Sequence, residues 1–354
     1  MTVKRLAVVL AIGAALIAPP IAVDAAPKPL DIYFIDVEGG QSTLVVTPDG
    51  ESLLIDAGFP SDGTFSSKPG APAQARDAQR ILAAARDAGV KRIDYLMLSH
   101  YHADHAGGVV ELAQLLPIST FIDHAAPSAE AETAVPGTQA VYDGYVALRA
   151  KGKHIEAKAG DRLPIKDVEA IIVASDGVVL TKVMAGAGQP NPACVGEGVP
   201  AQEKTENPRS VAVRLQYGKF GFLDVGDLTG PPLFALTCPI NLVGESDVYL
   251  IAHHGGADGS DPSLFAAVKP LVAIMSNGPH KGGQAQTLAT IRQMPSIDGW
   301  QLHRSLNRGA ENMPDEHIAN LDESTSAWLK VSANADGSFT VTNGRTGVSK
   351  SYRR

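Results

Sequence analysis

The chain has 354 residues, 44% of them hydrophobic and 19% charged, with a formal net charge of −8. That length suits one large domain or two ordinary ones, and the composition excludes a disordered or fibrous protein. The acidic balance leaves no electrostatic footprint for gripping polyphosphate, so no stable nucleic-acid complex is expected and the partner should be a small molecule. Aromatic residues make up only 5%, so the core must rest on Ala, Val, Leu and Ile.

The first 26 residues read as a secretory signal peptide. Lys4 and Arg5 form a positive start, and Leu6 to Ala18 is an apolar run of 13 residues that Pro19 and Pro20 break. Small residues follow, placing cleavage after Ala25 or Ala26. The run is shorter than the roughly 20 residues a bilayer span requires, and no other stretch could cross a membrane. The mature chain is therefore expected in the periplasm or outside the cell. There the isolated pair Cys194 and Cys238 is most simply a disulfide, with metal ligation as the alternative.

A strand is expected at Ile32 to Val37, then a hairpin of Ser42 to Thr47 and Ser52 to Ile55 around Pro48-Asp49-Gly50. Asp56-Ala57-Gly58 ends it, and a Gly/Pro/Ser-rich loop leads to a helix over Ala75 to Ala88 that Gly89 stops. Asp94 to Ser99 is a short buried strand, and a second helix starts near Gly107 and runs to Leu116. Ala126 to Lys153 is a helical excursion, and Gly177 to Pro208 is a long Gly/Pro-rich loop. The second half then repeats the first. Ser210 to Asp227 echoes Ser42 to Gly58, and Asp247 to His253 echoes Asp94 to His100. Such self-similarity implies two related halves packed face to face. A strand at Leu271 to Met275 and a hairpin over Trp328 to Val341, turning at Ala335-Asp336-Gly337, complete the chain. The expected organisation is a signal peptide at 1–26, a hydrolase domain at 27–300 and a C-terminal extension at 301–354.

Chemistry concentrates in His100-Tyr-His102-Ala-Asp104-His105, at the carboxyl end of a buried strand, where ligands bind in open α/β sheets. Histidines at i and i+2 of an extended segment point the same way and can share one ion. Asp104 and His105, on the following turn, are displaced enough to serve a second. Ala106-Gly107-Gly108 lacks bulk, which lets the next helix start close to the metals.

The segment resembles the HxHxDH signature of the metallo-β-lactamase superfamily. That resemblance implies an α+β, four-layer αβ/βα sandwich of two pseudo-repeated halves. It also implies a binuclear metallo-hydrolase in which ions roughly 3.5–4 Å apart share a hydroxide that attacks the substrate. Asp56 matches a supporting position, Asp227 in Val-Gly-Asp-Leu the carboxylate bridging two ions, and His253-His254-Gly255-Gly256 the closing histidine motif. The resemblance favours His254 as the closing ligand, while the internal repeat aligns His253 with His100, so both stay in the ligand set. Asp104 and His254 carry the catalytic role, Asp104 holding the second ion and orienting the nucleophile. Val37-Glu-Gly-Gly-Gln41-Ser42, Glu206-Asn207-Pro-Arg-Ser210, Gly226-Asp227 and the double His look most like the branch named for the competence protein ComEC.

The sequence also departs from the family. A third histidine of the first site is expected four residues before Ser210, and Glu206 stands there. His124 could substitute, or an oxygen ligand or water completes the site. Two divalent ions are expected, zinc first, with manganese the alternative that carboxylate ligation would favour. His280 or Lys281, after the Leu271 to Met275 strand, could meet an anionic substrate group. Tyr101 faces either the cleft or the core, and His303 and His317 are structural. The expected substrate is a small phosphodiester or related ester. A β-lactam or lactone is the alternative, and a metal-bearing binding protein with little turnover the reading from another class.

Overall fold

The computed structural model describes residues 1–3, 28–63, 70–196, 198–259 and 261–354. The body of the expected signal peptide, residues 4–26, lies outside the described residues. Among the described residues no helix is long and apolar enough to cross a membrane.

The first half lays down β1 (Leu30–Phe34), β2 (Thr43–Val46), β3 (Ser52–Ile55), β4 (Ile93–Met97), β5 (Ile118–Asp123) and β6 (Lys153–Glu156). Helices α1 (Arg76–Asp87), α2 (Ala103–Ala106), α3 (Val109–Leu115), α4 (Ala129–Ala134) and α5 (Thr138–Arg149) fall between them. The second half supplies β7 (Glu169–Ser175), β8 (Val178–Val179), β9 (Ala212–Tyr217), β10 (Phe220–Asp224), β11 (Val248–Leu250), β12 (Val272–Met275), β13 (Asp298–His303) and β14 (Ile318–Asn320). Its helices are α6 (Gly230–Ala235), α7 (Pro262–Val268) and α8 (Ala285–Arg292). Strands β15 (Leu329–Ala333), β16 (Phe339–Asn343) and β17 (Ser349–Tyr352) end the chain.

Two mixed sheets result. One runs β17-β16-β15-β1-β2-β3-β4-β5-β6 and the other β14-β13-β12-β11-β10-β9-β7-β8. The internal repeat is visible in the pairing. The antiparallel hairpin β2-β3 continues into parallel β4 and β5, as the hairpin β9-β10 continues into parallel β11 and β12. Residues 301–354 enter both sheets: β13 and β14 extend the second, while β15 pairs with β1 of the first.

Strand periodicity explains the layers. In β1, Ile32 and Phe34 point into a core between the sheets, whereas Tyr33 points to the helix side. The same inner core takes Phe222, Leu250, Ile274 and Trp300 from the second sheet, with Phe34 and Phe222 meeting edge to face at 5.7 Å. Outside the first sheet, α1 buries Ala78, Ile81, Leu82 and Ala85 at helical spacing. Outside the second, α7 and α8 bury Leu264, Phe265, Leu288 and Ile291. The order helix, sheet, sheet, helix is the four-layer sandwich the resemblance implied.

The long segment between β8 and β9 is anchored by a disulfide between Cys194 and Cys238, whose Cα atoms are 5.7 Å apart. The bridge joins residues 44 apart in sequence, a loop whose closure in the unfolded chain corresponds to about 4 kcal/mol as an upper bound. Reduction should therefore move the urea midpoint to lower concentration, read as the difference between unfolding curves with and without dithiothreitol. Coincident curves would show that the bridge adds no stability.

Candidate metal centre

Four strand ends of the two halves meet at one edge of the sandwich. Beyond β4 the chain bends at Ser99 and reaches His102 (φ −68°, ψ 152°), then turns into α2, which carries Asp104 and His105. The helix expected from near Gly107 to Leu116 is α3, capped by Gly108 and Leu116, and the single turn of α2 precedes it. At Gly108 a Cβ would stand 2.2 Å from the Ala57 carbonyl oxygen, so its small size also serves the approach of the loop after β3.

Asp56 ends β3 with a left-handed φ of 60°. This conformation is costly for a non-glycine residue and is retained where the surroundings over-determine it. Its carboxylate accepts from the Ser99 backbone N–H and hydroxyl, each at 2.7 Å, and faces His105 Nδ1 at 2.7 Å. The His105 ring is thereby oriented with Nε2 toward the centre. From the second half, Asp227 follows β10 and His254 follows β11, the latter at φ 55°. Between them Gly226, at φ 56°, lets the halves touch, since a Cβ would lie 2.7 Å from Ser99 Cβ.

Two groups of donors form, both including Asp227. His100, His102 and Asp227 offer ligand atoms within 4.8 Å of one another, as do Asp104, His105, Asp227 and His254. His100 Nε2 lies 2.9 Å from His102 Nδ1, and His105 Nε2 lies 3.1 Å from His254 Nε2. Asp227 Oδ2 is 3.2 Å from His105 Nε2, and its Oδ1 is 3.2 Å from His254 Nε2. Asp104 Oδ2 reaches His105 and His254 at 3.3 and 3.2 Å.

Protonation favours ligation by most of this set. Burial holds His100 well below the usual imidazole range and depresses His102 to about 4, while His254 is also lowered, chiefly by burial. Neutral imidazole is the form that binds metal. Burial also opposes the charged form of His105, but Asp227 and Asp56 outweigh it and lift the group to about 10. Asp227 itself is held well below the carboxylate range because His105, His254 and His253 overcome the cost of burial. Convergent imidazole nitrogens around shared carboxylates suit a divalent cation, and the cluster is able to bind metal.

The other expected residues fall around this core. His253 lies at the rim, outside both donor groups, with Nδ1 2.9 Å from Asp258 and Nε2 3.7 Å from Asp227. Lys281 binds Asp104 Oδ2 and sits over the Phe59 ring, and burial lowers its ammonium to about 7. His280 is exposed beside it. His124 is buried, with Nε2 3.2 Å from Glu206 Oε2, and Glu206 accepts from Arg209 at 2.8 Å. Burial raises the Glu206 carboxyl, yet His124 and Arg209 bring it below its ordinary value. Tyr101 is buried, donating to the His124 carbonyl at 2.6 Å. His303 and His317 are buried in and beside the second sheet, His317 stacked on Trp300. Ser99 is not singled out from the sequence, and Asn207 enters there only as part of the Glu206 to Ser210 motif. Ser99 touches Asp56, His100 and His105, and Asn207 lies 3.5 Å from His253. The only signal for Ser99 is its place beside His100.

A cleft of about 690 Å³ opens on the centre. His102, Asp104, Asp227 and Lys281 line it together with the apolar side chains of Val110, Val135 and Val141. Beneath the site, buried Asp224 accepts from Gln41 Nε2 at 3.1 Å and from the Gly226 N–H at 2.9 Å. Burial, with Asp56 adding, raises its carboxyl to about 7. A raised carboxyl binds a proton more tightly folded than unfolded, so its burial penalty is absent at low pH and grows as pH rises from about 4 to about 7. Asp224→Asn should be more stable than wild type by a few kcal/mol above this window and equal to it below. Melting both proteins in chelator from pH 4 to 8 checks this, and a difference independent of pH would refute it.

Residues 35–188 match the family model described as Metallo-beta-lactamase superfamily. No curated protein sequence matches the chain. Among solved structures, a metallo-β-lactamase from Cronobacter sakazakii with a HARLDQ motif is 18% identical, with a TM-score of 0.31, over 55% of this chain and 61% of that one. YhfI from Bacillus subtilis, a metallo-β-lactamase fold protein, is 13% identical, with a TM-score of 0.43, over 77% and 95%. CmlA from Streptomyces venezuelae, a diiron β-hydroxylase, is 12% identical, with a TM-score of 0.39, over 72% and 46%. The chain thus spans about six tenths of the first of these proteins. With its paired mixed sheets, flanking helices and the family match over the first half, this chain has the metallo-β-lactamase fold.

Proposed function

We propose that the chain is an exported, binuclear metal-dependent hydrolase acting on a small phosphodiester or related ester. The observation that carries this reading is the sharing of Asp227 by two groups of buried donors at the mouth of one cleft. Bound there, two divalent ions would lower the pKa of a water and polarise the scissile group.

The remaining work belongs to the chain's own residues. Asp104 turns one carboxylate oxygen toward both His105 and His254, and Lys281 fixes that carboxylate from the cleft side. Asp56 and Ser99 hold the rings of His105 and His100, so the site is set before substrate arrives. Lys281 is also the cation best placed to meet an anionic substrate, with the cleft around it. The ComEC-like motifs support the phosphodiester, and the net charge of −8 argues against long nucleic acid. Export is supported by the character of the N-terminal sequence and by the Cys194–Cys238 disulfide, which suits an oxidising compartment.

A second reading, hydrolysis of a β-lactam or lactone, is favoured by the apolar wall of Val110, Val135 and Val141. A purely binding role fits less well, because Asp104 and Asp227 both converge on the imidazoles. The full chain should hold two ions by elemental analysis and turn over bis-p-nitrophenyl phosphate faster than nitrocefin or an acyl lactone. Asp104→Ala should lose roughly 100-fold or more of that turnover. Turnover untouched by the substitution would sink the site, and turnover on nitrocefin alone would sink the phosphodiester.

A further inference from the structure

One buried charge of the second sheet has no carboxylate of its own. Along β9, Val213 and Leu215 point into the core between the sheets, so Arg214 points to the outer face. There it sits between Ile171 of β7 and Leu223 of β10. It is only 9% exposed. A guanidinium stays charged, and an unpaired charge taken out of water is costly. The two acids whose charge reaches Arg214, Asp247 and Glu169, are engaged elsewhere. Asp247 accepts from the Gly221 N–H at 2.8 Å and from Arg354 Nε at 3.1 Å, and Glu169 accepts from Arg162 at 2.9 Å. Burial therefore pulls the Arg214 guanidinium below its ordinary value. Nη2 donates to the Glu245 carbonyl at 2.9 Å, and Nε is buried without a hydrogen bond. Nη1 is neither hydrogen-bonded nor sealed among the described residues. A buried cation satisfied at one nitrogen of three calls for a reason.

Arg214 lines a hollow of about 660 Å³ on the outer face of β7 and β9, which the segment after β8 closes. That segment is fixed by the N–H groups of Leu180 and Met184, which donate to the Val173 and Leu242 carbonyls at 3.0 and 2.9 Å. Ile171, Leu180, Val183 and Met184 make much of the lining apolar. None of the lining residues belongs to the cleft on the metal centre. We propose that this hollow is a second binding site, separate from the metal centre, for a small monocarboxylate with an apolar body. Arg214 Nη1 donates to the carboxylate, a charge-assisted bond about twice as strong as a neutral one. The apolar side chains cover the body of the ligand, and the volume is in the range of small-molecule sites. Lys182 lines the hollow, but so do Asp161 and Glu169. A single negative charge is therefore accepted more readily than the double charge of a phosphate monoester.

The probe is 4-fluorobenzoate, followed by fluorine NMR line width. The full chain is first passed over a chelating resin, which removes metal as a competing anchor for the carboxylate. One equivalent should bind. Acetate, which lacks the apolar body, should compete at least roughly tenfold more weakly, and phenyl phosphate should also compete less well than benzoate. Arg214→Met should lower the affinity about tenfold or more, with a cooperative melt establishing that it is folded. Val183→Asp places an acid on the wall at an exposed position, and should weaken binding roughly threefold or more without disturbing the fold. A wild type that does not bind, or an affinity indifferent to both Arg214 and Val183, overturns the site. So does a loss in Lys281→Met that Arg214→Met does not share, since the carboxylate then lies in the metal cleft. Phenyl phosphate binding more tightly than benzoate overturns the choice of a monocarboxylate.

Discussion

Asp227 is the charge on which the seam between the halves depends. Around it lie His100, His105 and His254, all nearly without solvent, and a buried charge without a partner costs several kcal/mol. Asp227 meets His105 with one oxygen and His254 with the other, so one carboxylate holds imidazoles from both halves. That geometry ties the two sheets together electrostatically. It also creates a place where a cation is more favourable than bulk apolar packing.

Everything nearby keeps that arrangement from collapsing. Asp56, in a strained left-handed conformation, holds Ser99 and the far nitrogen of His105, while Gly226 admits the second half to contact with Ser99. Strain and close approach occur at the strand ends, where the inter-sheet core of Phe34, Phe222 and Trp300 can support them. The rim is looser by comparison. His253 is paired with exposed Asp258, and Lys281 reaches Asp104 from the cleft, so both lie outside the most tightly held core of the site.

Much of this was legible in the residues. The hairpin around Asp49-Gly50, the buried strand before His100 and the echo of both in the second half follow from local turn chemistry and periodicity, which need no tertiary contact. The helix after the motif is legible from Gly107-Gly108, whereas the single turn of α2 before it is not, because four residues carry too little periodicity to read. Ser99 passed unnoticed for a related reason. A serine before a histidine has no pattern of its own, and the partner that holds its backbone and hydroxyl, Asp56, lies 43 residues away.

Spacing and strand period, which are properties of neighbouring residues, suffice to read the two related halves and the donors in His100 to His105, while the sandwich and the histidine expected where Glu206 stands are what the family resemblance implies. Which of the adjacent histidines lies among the donors depends on tertiary packing. His253 and His254 both follow β11, yet consecutive side chains diverge, and the path of that turn sends His254 inward to Asp227 and Asp104 and His253 to the rim. The same holds for His124 and Glu206, which are far apart in the chain and become a buried pair only when β5 and the segment before β9 meet. Sequence spacing cannot report such a meeting, because it is set by the packing of one half against the other.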